Sequence, residues 1–258
     1  MAYQPHQTIL DISKGTVAGH SIMSAMGEFE SGNINAAGED VCRSEDVGGP
    51  GKLPTPAPAG EQMTLISDDN ADNGATATGV LTVRIEYLDA LGVEQTEDVT
   101  LNGTTGVNTV ATDIRFVNDM YALTVGSNGV AEGSISIYKF GGSIATDLYN
   151  MIFEGGNKSL VPHRMVPLAK TLYLQSWHCS EAQGRRCLFR IRSTDMNGVL
   201  IPGVFCFKDT IFLYQTSSGE LPLRSVAVPA LSIVKVSYWA IAVGAEGSCG
   251  WWGVLVDD

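Results

Sequence analysis

The sequence predicts an all-β protein: two tandem antiparallel β-sandwich domains, jelly-roll-like, preceded by an extended N-terminal arm. Three observations predict it. In Gly79–Gly103, Val80, Thr82, Arg84 and Glu86 alternate with Leu81, Val83, Ile85 and Tyr87, the period of two of a half-buried strand. The 29 glycines, with abundant Thr, Ser, Val and Asn, punctuate the chain into short strands and turns. Strand-like runs recur every ~8–12 residues, and no convincing long helical pattern interrupts them.

Residues 1–60 differ from the rest. After the apolar piece Ile9, Leu10 and Ile12, glycine and proline are frequent and acidic residues outnumber basic ones. Pro50, Pro54, Pro56 and Pro58 read as an extended spacer. Such a segment buries little apolar surface by itself. It reads either as a disordered tail or, the favoured reading, as an arm that orders against a neighbouring subunit, with Ile9, Leu10, Ile12, Ile22, Met23, Met26 and Phe29 as its partner-binding residues.

Residues 61–140 form the first predicted domain, centred on a hairpin. Gly92 permits the turn in LDALGVEQ, TEDVTLNG resumes the alternation, and Asn102-Gly103 ends it with a strong turn signal. Glu86, Asp89, Glu94, Glu97 and Asp98 give this hairpin an acidic rim. Residues 141–160 are a connection, either a short helix over 145–153 or an extended crossover. The alternation of Tyr149, Met151 and Phe153 favours the extended form. Residues 161–258 form the second domain, with Pro162, Pro167, Pro202, Pro222 and Pro229 at strand ends or edges. Asp89–Val93 and Asp195–Val199 share a D-x-x-G-V turn after an Arg-bearing strand, a weak internal repeat.

The net charge of −12 repels phosphate backbones and argues against nucleic-acid binding. No run reaches the ~18–20 apolar residues that span a bilayer, so no membrane insertion is expected, and the N-terminus lacks a signal-peptide pattern. The five cysteines, Cys42, Cys179, Cys187, Cys206 and Cys249, contain no C-x-x-C. They are expected as reduced thiols, with Cys179 and Cys187 able to face each other across a hairpin.

No constellation with catalytic spacing is found. His178 and Cys179 are neighbours on a strand and point to opposite faces. Asp68, Asp69 and Asp72 with Asn70 and Asn73 form an oxygen-rich loop without EF-hand spacing, so it is read as solvated. Arg185, Arg186, Arg190 and Arg192 make a local basic surface, for which ordinary solvated strand positions are the favoured reading over docking of an acidic partner. Trp177, Trp239, Trp251 and Trp252 are expected mainly in the core, with one of Trp251 and Trp252 facing outward. Arg185, Arg186, Trp251 and Trp252 are retained as surface-contact candidates. No cofactor, metal or catalytic residue is expected.

The residues then carry a resemblance. The DD…G-x-x-x-x-G-V loop, T-V-R-I-E-x-L-D-A, the E-x-V-x-L-N-G-T hairpin and the A-E-G-x-I-x-I ending resemble a module of structural proteins of tailed bacteriophages, podovirus-type and cyanobacterial phages in particular. The second half is similar to their C-terminal β domain, ending in an apolar strand and acidic tail, while residues 1–60, the cysteines and Trp251-Trp252 depart from that pattern. The resemblance implies a non-enzymatic virion structural protein on the particle exterior, made in the bacterial host cytoplasm. A capsid decoration protein gripping its neighbours through the arm is the first expectation, and a tail, collar or head-fibre component contributing to host attachment is the second. The expected partners are other copies of itself (a trimer), a major capsid or other virion protein, and a host-surface glycan.

Overall fold

A computed structural model describes residues 5–31, 37–74, 77–214, 218–241 and 243–258, and these residues are predominantly β. The chain begins with a helix, α1 (Pro5–Ser13), followed by a long strand β1 (His20–Ser31) and a short one, β2 (Glu39–Asp40). The expectation of an extended arm fails here. Residues 22–30 alternate outward Ile22, Ser24, Met26, Glu28 and Glu30 with inward Met23, Ala25, Gly27 and Phe29. That is strand periodicity, and it survives the glycines because Gly27 lies against Pro162, where a Cβ would collide.

Eight elements build an inserted unit: β3 (Met63–Ser67), β4 (Val80–Leu88), β5 (Glu94–Thr100), β6 (Val107–Asn108), β7 (Phe116–Val125), β8 (Ile135–Lys139), the single-turn α2 (Ile144–Asp147) and β9 (Leu148–Ile152). They form a four-stranded sheet, β6-β3-β8-β9, and a three-stranded sheet, β5-β4-β7. Both bury Met63, Leu65, Val83, Ile85, Met120, Ile135 and Ile137 in one core. The hairpin read from sequence pairs Thr82 with Thr100 through Leu88 with Glu94. Its turn is capped by Asp89, which accepts from Leu91 N and Val93 N at 2.9 Å. The expected connection over 141–160 contains a short helix and then β9, which pairs with β8 and so belongs to this unit.

The remaining strands are β10 (Arg164–Met165), β11 (Lys170–Glu181), β12 (Cys187–Ser193), β13 (Asp195–Met196), β14 (Val199–Leu200), β15 (Cys206–Leu213), β16 (Ser218–Val228), β17 (Ile233–Ala240) and β18 (Ala245–Asp257). One sheet runs β1-β18-β11-β16; the other runs β10-β17-β12-β15, with β2 also paired to β17. The β13–β14 pair is a small hairpin. Inward residues of the two large sheets share a single core that includes Phe29, Leu174, Trp177, Phe189, Val236, Tyr238 and Trp251. β1 pairs with β18 without interruption from His20–Val256 to Ser31–Ala245. The two units are thus nested, not tandem: residues 20–40 and 164–257 together enclose the segment that forms the inserted one.

A second contact zone joins the units. Leu88 and Phe116 pack with Met165 and Ile233. The Asn118 side chain accepts from Met165 N at 2.7 Å and donates to Met165 O at 3.1 Å, imitating a strand pair. Buried Arg164 reaches Asp119 at 3.1 Å, and Lys170 reaches Glu94 at 2.9 Å.

Candidate interaction surface

The outer face of the sheet β10-β17-β12-β15 carries the most unusual chemistry of the molecule. Alternation on β12 sends Cys187, Phe189 and Ile191 into the core and Leu188, Arg190 and Arg192 outward. On either side, β15 and β17 set aromatic rings beside these arginines. The Arg190 guanidinium lies 4.4 Å from the Phe207 ring centroid and 4.5 Å from that of Trp239. Arg186 lies 5.7 Å from Phe212 and 5.4 Å from Tyr214. Arg192 lies 5.5 Å from both Phe205 and Trp239, and the Lys235 ammonium 4.1 Å from Phe205.

Cation–ring contacts of this kind contribute about 0.5–1 kcal/mol when exposed and more when desolvated. Their greater effect here is to hold long side chains in place. A bulge makes the arrangement possible: Ile191 faces Asp209 while Arg192 faces Phe207. The extra residue, Lys208, turns to Asp195 at 2.8 Å. The rings remain accessible, with Phe207 56%, Phe212 50% and Tyr214 53% exposed. Met196, Val199 and Val204 are exposed beside them. Clustered apolar exposure on this scale marks interaction surfaces more often than it occurs by chance.

The inner end of this face is anchored by Asp40, which is fully buried. Its carboxylate accepts from Lys235 Nζ at 2.8 Å, Ser237 Oγ at 2.7 Å, Leu53 N at 3.1 Å and Arg192 Nη2 at 3.3 Å. Burial alone would raise the Asp40 carboxyl, but His163 and Lys235 more than offset it and hold it below the ordinary value. Gly38, at φ 75°, brings the chain flat against the Trp239 ring before β2 begins; a Cβ there would strike the indole. Beside Asp40 lies His163, buried and with no partner for Nε2 among the described residues. Burial pushes its imidazole down to about 3.

The sequence-derived candidates scatter across the fold. Arg185 and Arg186 are exposed in the β11–β12 turn, and Arg186 joins the aromatic face. Trp251 is buried in the core and donates Nε1–H to Pro162 O at 3.0 Å, so it offers no surface contact. Trp252, half-buried, points the other way on β18. Ile9, Leu10, Ile22 and Met26 are exposed. Ile12, Met23 and Phe29 are buried, and Phe29 stacks on Tyr238 at 3.9 Å, so these three serve the protein's own packing instead of a partner.

Cys179 and Cys187 sit on different sheets and all five cysteines are free. Burial raises the Cys42 and Cys187 thiols to about 12, and Cys179 and Cys249 are raised as well, which leaves them poor nucleophiles. In the oxygen-rich loop, Asp72 is buried, and accepts from Ser67 Oγ, Val80 N, Glu132 N and Gly133 N at 2.7–3.1 Å. It pins the loop to the strands around it. No group of three or more His, Cys, Asp or Glu among the described residues could hold a metal ion.

Sequence reasoning missed the Asp40 cluster and the aromatic half of the face. The signal for the second was present in the period-two pairs Phe205/Phe207 and Phe212/Tyr214.

The geometry defines an all-β protein with an exposed cationic–aromatic face. No protein-family model and no curated protein matches the chain. Among solved structures, that of the infectious bursal disease virus Gx strain is similar over 93% of this chain and 82% of that one, at 8% identity and a TM-score of 0.19. The infectious bursal disease virus VP2 subviral particle is similar over 94% and 82%, at 10% identity and a TM-score of 0.13.

Proposed function

We propose that this chain is a non-enzymatic structural protein of a viral particle, and within that class a decoration protein on the exterior of a tailed-phage capsid. The observation that carries the reading is the exposed arginine–aromatic face. Aromatic residues and arginine are the types enriched where proteins bind proteins, and here they share one face of a sheet on a chain of net charge −12. The strand order supports it: the facing sheets run β1-β18-β11-β16 and β10-β17-β12-β15, and the chain crosses between them from β11 to β12 and again at each step from β15 to β18, as in the jelly rolls of many capsid proteins. That part is an analogy of fold. Docking through this face takes the place of the arm, of whose candidates Met23 and Phe29 are committed to the core between the sheets.

The test is location and stoichiometry. Tail-less heads purified from the native virus should carry the protein in hundreds of copies, and Phe207→Ala/Phe212→Ala should reduce binding to heads stripped of it. A handful of copies per particle, or loss together with the tail, overturns the decoration reading.

A second reading is a tail, collar or fibre component that contributes to host attachment. It is favoured by a cleft of about 600 Å³ between the units, lined by Ser21, Ser24, Glu86, Gln95, Thr96 and Asn118. Hydroxyl, amide and carboxylate groups in that density suit a host-surface glycan. Glycan-array binding abolished by Gln95→Ala would favour it.

A further inference from the structure

The protein has a second charged surface, on the opposite side of the two-sheet stack. β1 and β18 place Glu30 directly across from Glu246, both outward, with Glu28 one pleat along. Like charges opposed on adjacent antiparallel strands repel. Arg43 answers Glu30 at 3.3 Å. Glu246 meets the neutral Gln183 amide at 3.3 Å, and among the described residues no cation pairs with Glu246 or Glu28. These carboxylates line a shallow groove of about 200 Å³ with Ser180 and Ser248.

The arginine face has the complementary deficit. Arg192 is answered by Asp40, but among the described residues no carboxylate pairs with Arg190 or Arg186. Arg190 is held between Phe207 and Trp239 with its Nε buried and, among the described residues, without an acceptor. An arginine so fixed has lost its side-chain freedom in advance, which lowers the cost of engaging a carboxylate.

We propose that these two surfaces dock on each other between copies of this chain, the Arg186/Arg190 face of one against the Glu28/Glu30/Glu246 groove of the next. It rests on the reading of the chain as an assembling particle subunit and deepens it: the partner of the arginine–aromatic face is the next copy, so Phe207→Ala/Phe212→Ala lowers head binding by removing contacts between copies. Two different patches on opposite sides of a subunit make a head-to-tail contact, which closes into a ring or propagates as a chain. Phe207, Phe212 and Tyr214 supply the apolar area around the charges. Repulsion between the otherwise acidic copies is relieved at this contact.

The full chain is examined by sedimentation velocity over a range of concentrations at low and high salt. Self-association is expected at ~0.05 M salt and is expected to weaken at ~0.5 M as exposed charges are screened. Arg190→Ala and Glu246→Gln should each weaken it about tenfold or more, with Arg186→Ala as a fully exposed alternative if Arg190→Ala destabilises the fold. The decisive mixture combines Arg190→Ala with Glu246→Gln. Each copy then keeps one intact surface, so the mixture should form 1:1 dimers and nothing larger. A chain that is monomeric at every concentration and salt, or variants that assemble like the parent, overturns the proposal. If such a monomer still binds stripped heads, self-docking fails while the decoration reading stands; if it also fails to bind heads, both fail.

Discussion

The two halves of the molecule reach the same kind of core by different routes. The inserted unit is assembled from one continuous run of chain, β3 to β9: β4–β5 and β8–β9 pair consecutive strands, and β3–β6, β3–β8 and β4–β7 find their partners within the same run. The outer unit draws β1 from one end and β18 from the other. The first can be built locally; the second exists only when both ends are present. Cooperative elements whose parts lie far apart in sequence carry a larger loop-closure cost, so the outer unit depends more heavily on each contact that joins its two segments.

The sharpest way to break that comparison is to remove residues 5–31. The outer unit then loses an entire strand and the Phe29 contact with Tyr238 and Phe189. Hydrogen exchange should show β11, β17 and β18 unprotected while β4, β7 and β8 remain protected. Equal loss in both units would show that the inserted unit does not stand alone.

The next effect is at Asp40, the other tie between the early and late segments. Asp40→Asn leaves Lys235 and Arg192 without their buried counter-charge and should cost about 3–5 kcal/mol in urea unfolding. A change within experimental scatter would mean that the cluster relaxes into solvent.

His163 gives a smaller, pH-dependent effect. Its folded value is pushed down to about 3 by burial, whereas unfolded it titrates near 6.5. Between those values the unfolded chain holds the extra proton, so stability rises with pH and is lost as pH falls below ~6.5. Going from pH 7 to 5.5 should cost about 1 kcal/mol through this residue, and His163→Gln should remove that component of the urea-midpoint shift. An unchanged slope would place the imidazole in contact with water.

The smallest effect is expected in the inserted unit, at the exposed pair Arg84–Asp98, 2.6 Å apart on β4 and β5. Arg84→Ala should leave the thermal midpoint where it is, because exposed pairs are screened and offset by side-chain ordering. A clear drop there would erase the contrast with Asp40.

The same contrast explains what could be read from the sequence. The β4–β5 hairpin was legible because its partner strands, its Asp89-capped turn and its alternation all fall within Gly79–Gly103. β1 was not, since Gly27 and the small residues around it blur the hydrophobic pattern, and its partner lies at the far end of the chain. The basic half of the arginine–aromatic face was visible as Arg185, Arg186, Arg190 and Arg192. Its rings come from β15 and β17, and only the register of three strands brings them over the guanidinium groups. Asp40 looked like one more acid in an acidic stretch. What distinguishes it is burial against Lys235 and Ser237, from the opposite end of the sequence.

The pairing of β1 with β18 has a consequence for synthesis on the ribosome. Ser31 must wait for Ala245, a gap of roughly two hundred residues that takes on the order of 10–50 s to translate at ~5–20 residues per second. During that interval the inserted unit can complete its sheets, while Met23, Ala25 and Phe29 have no core to enter. The nascent chain therefore exposes an apolar, unpaired strand until β18 has been made. A chaperone that holds extended apolar segments would act at that strand, and slowing translation between β1 and β18 should raise aggregation more than the same delay before β1 is made.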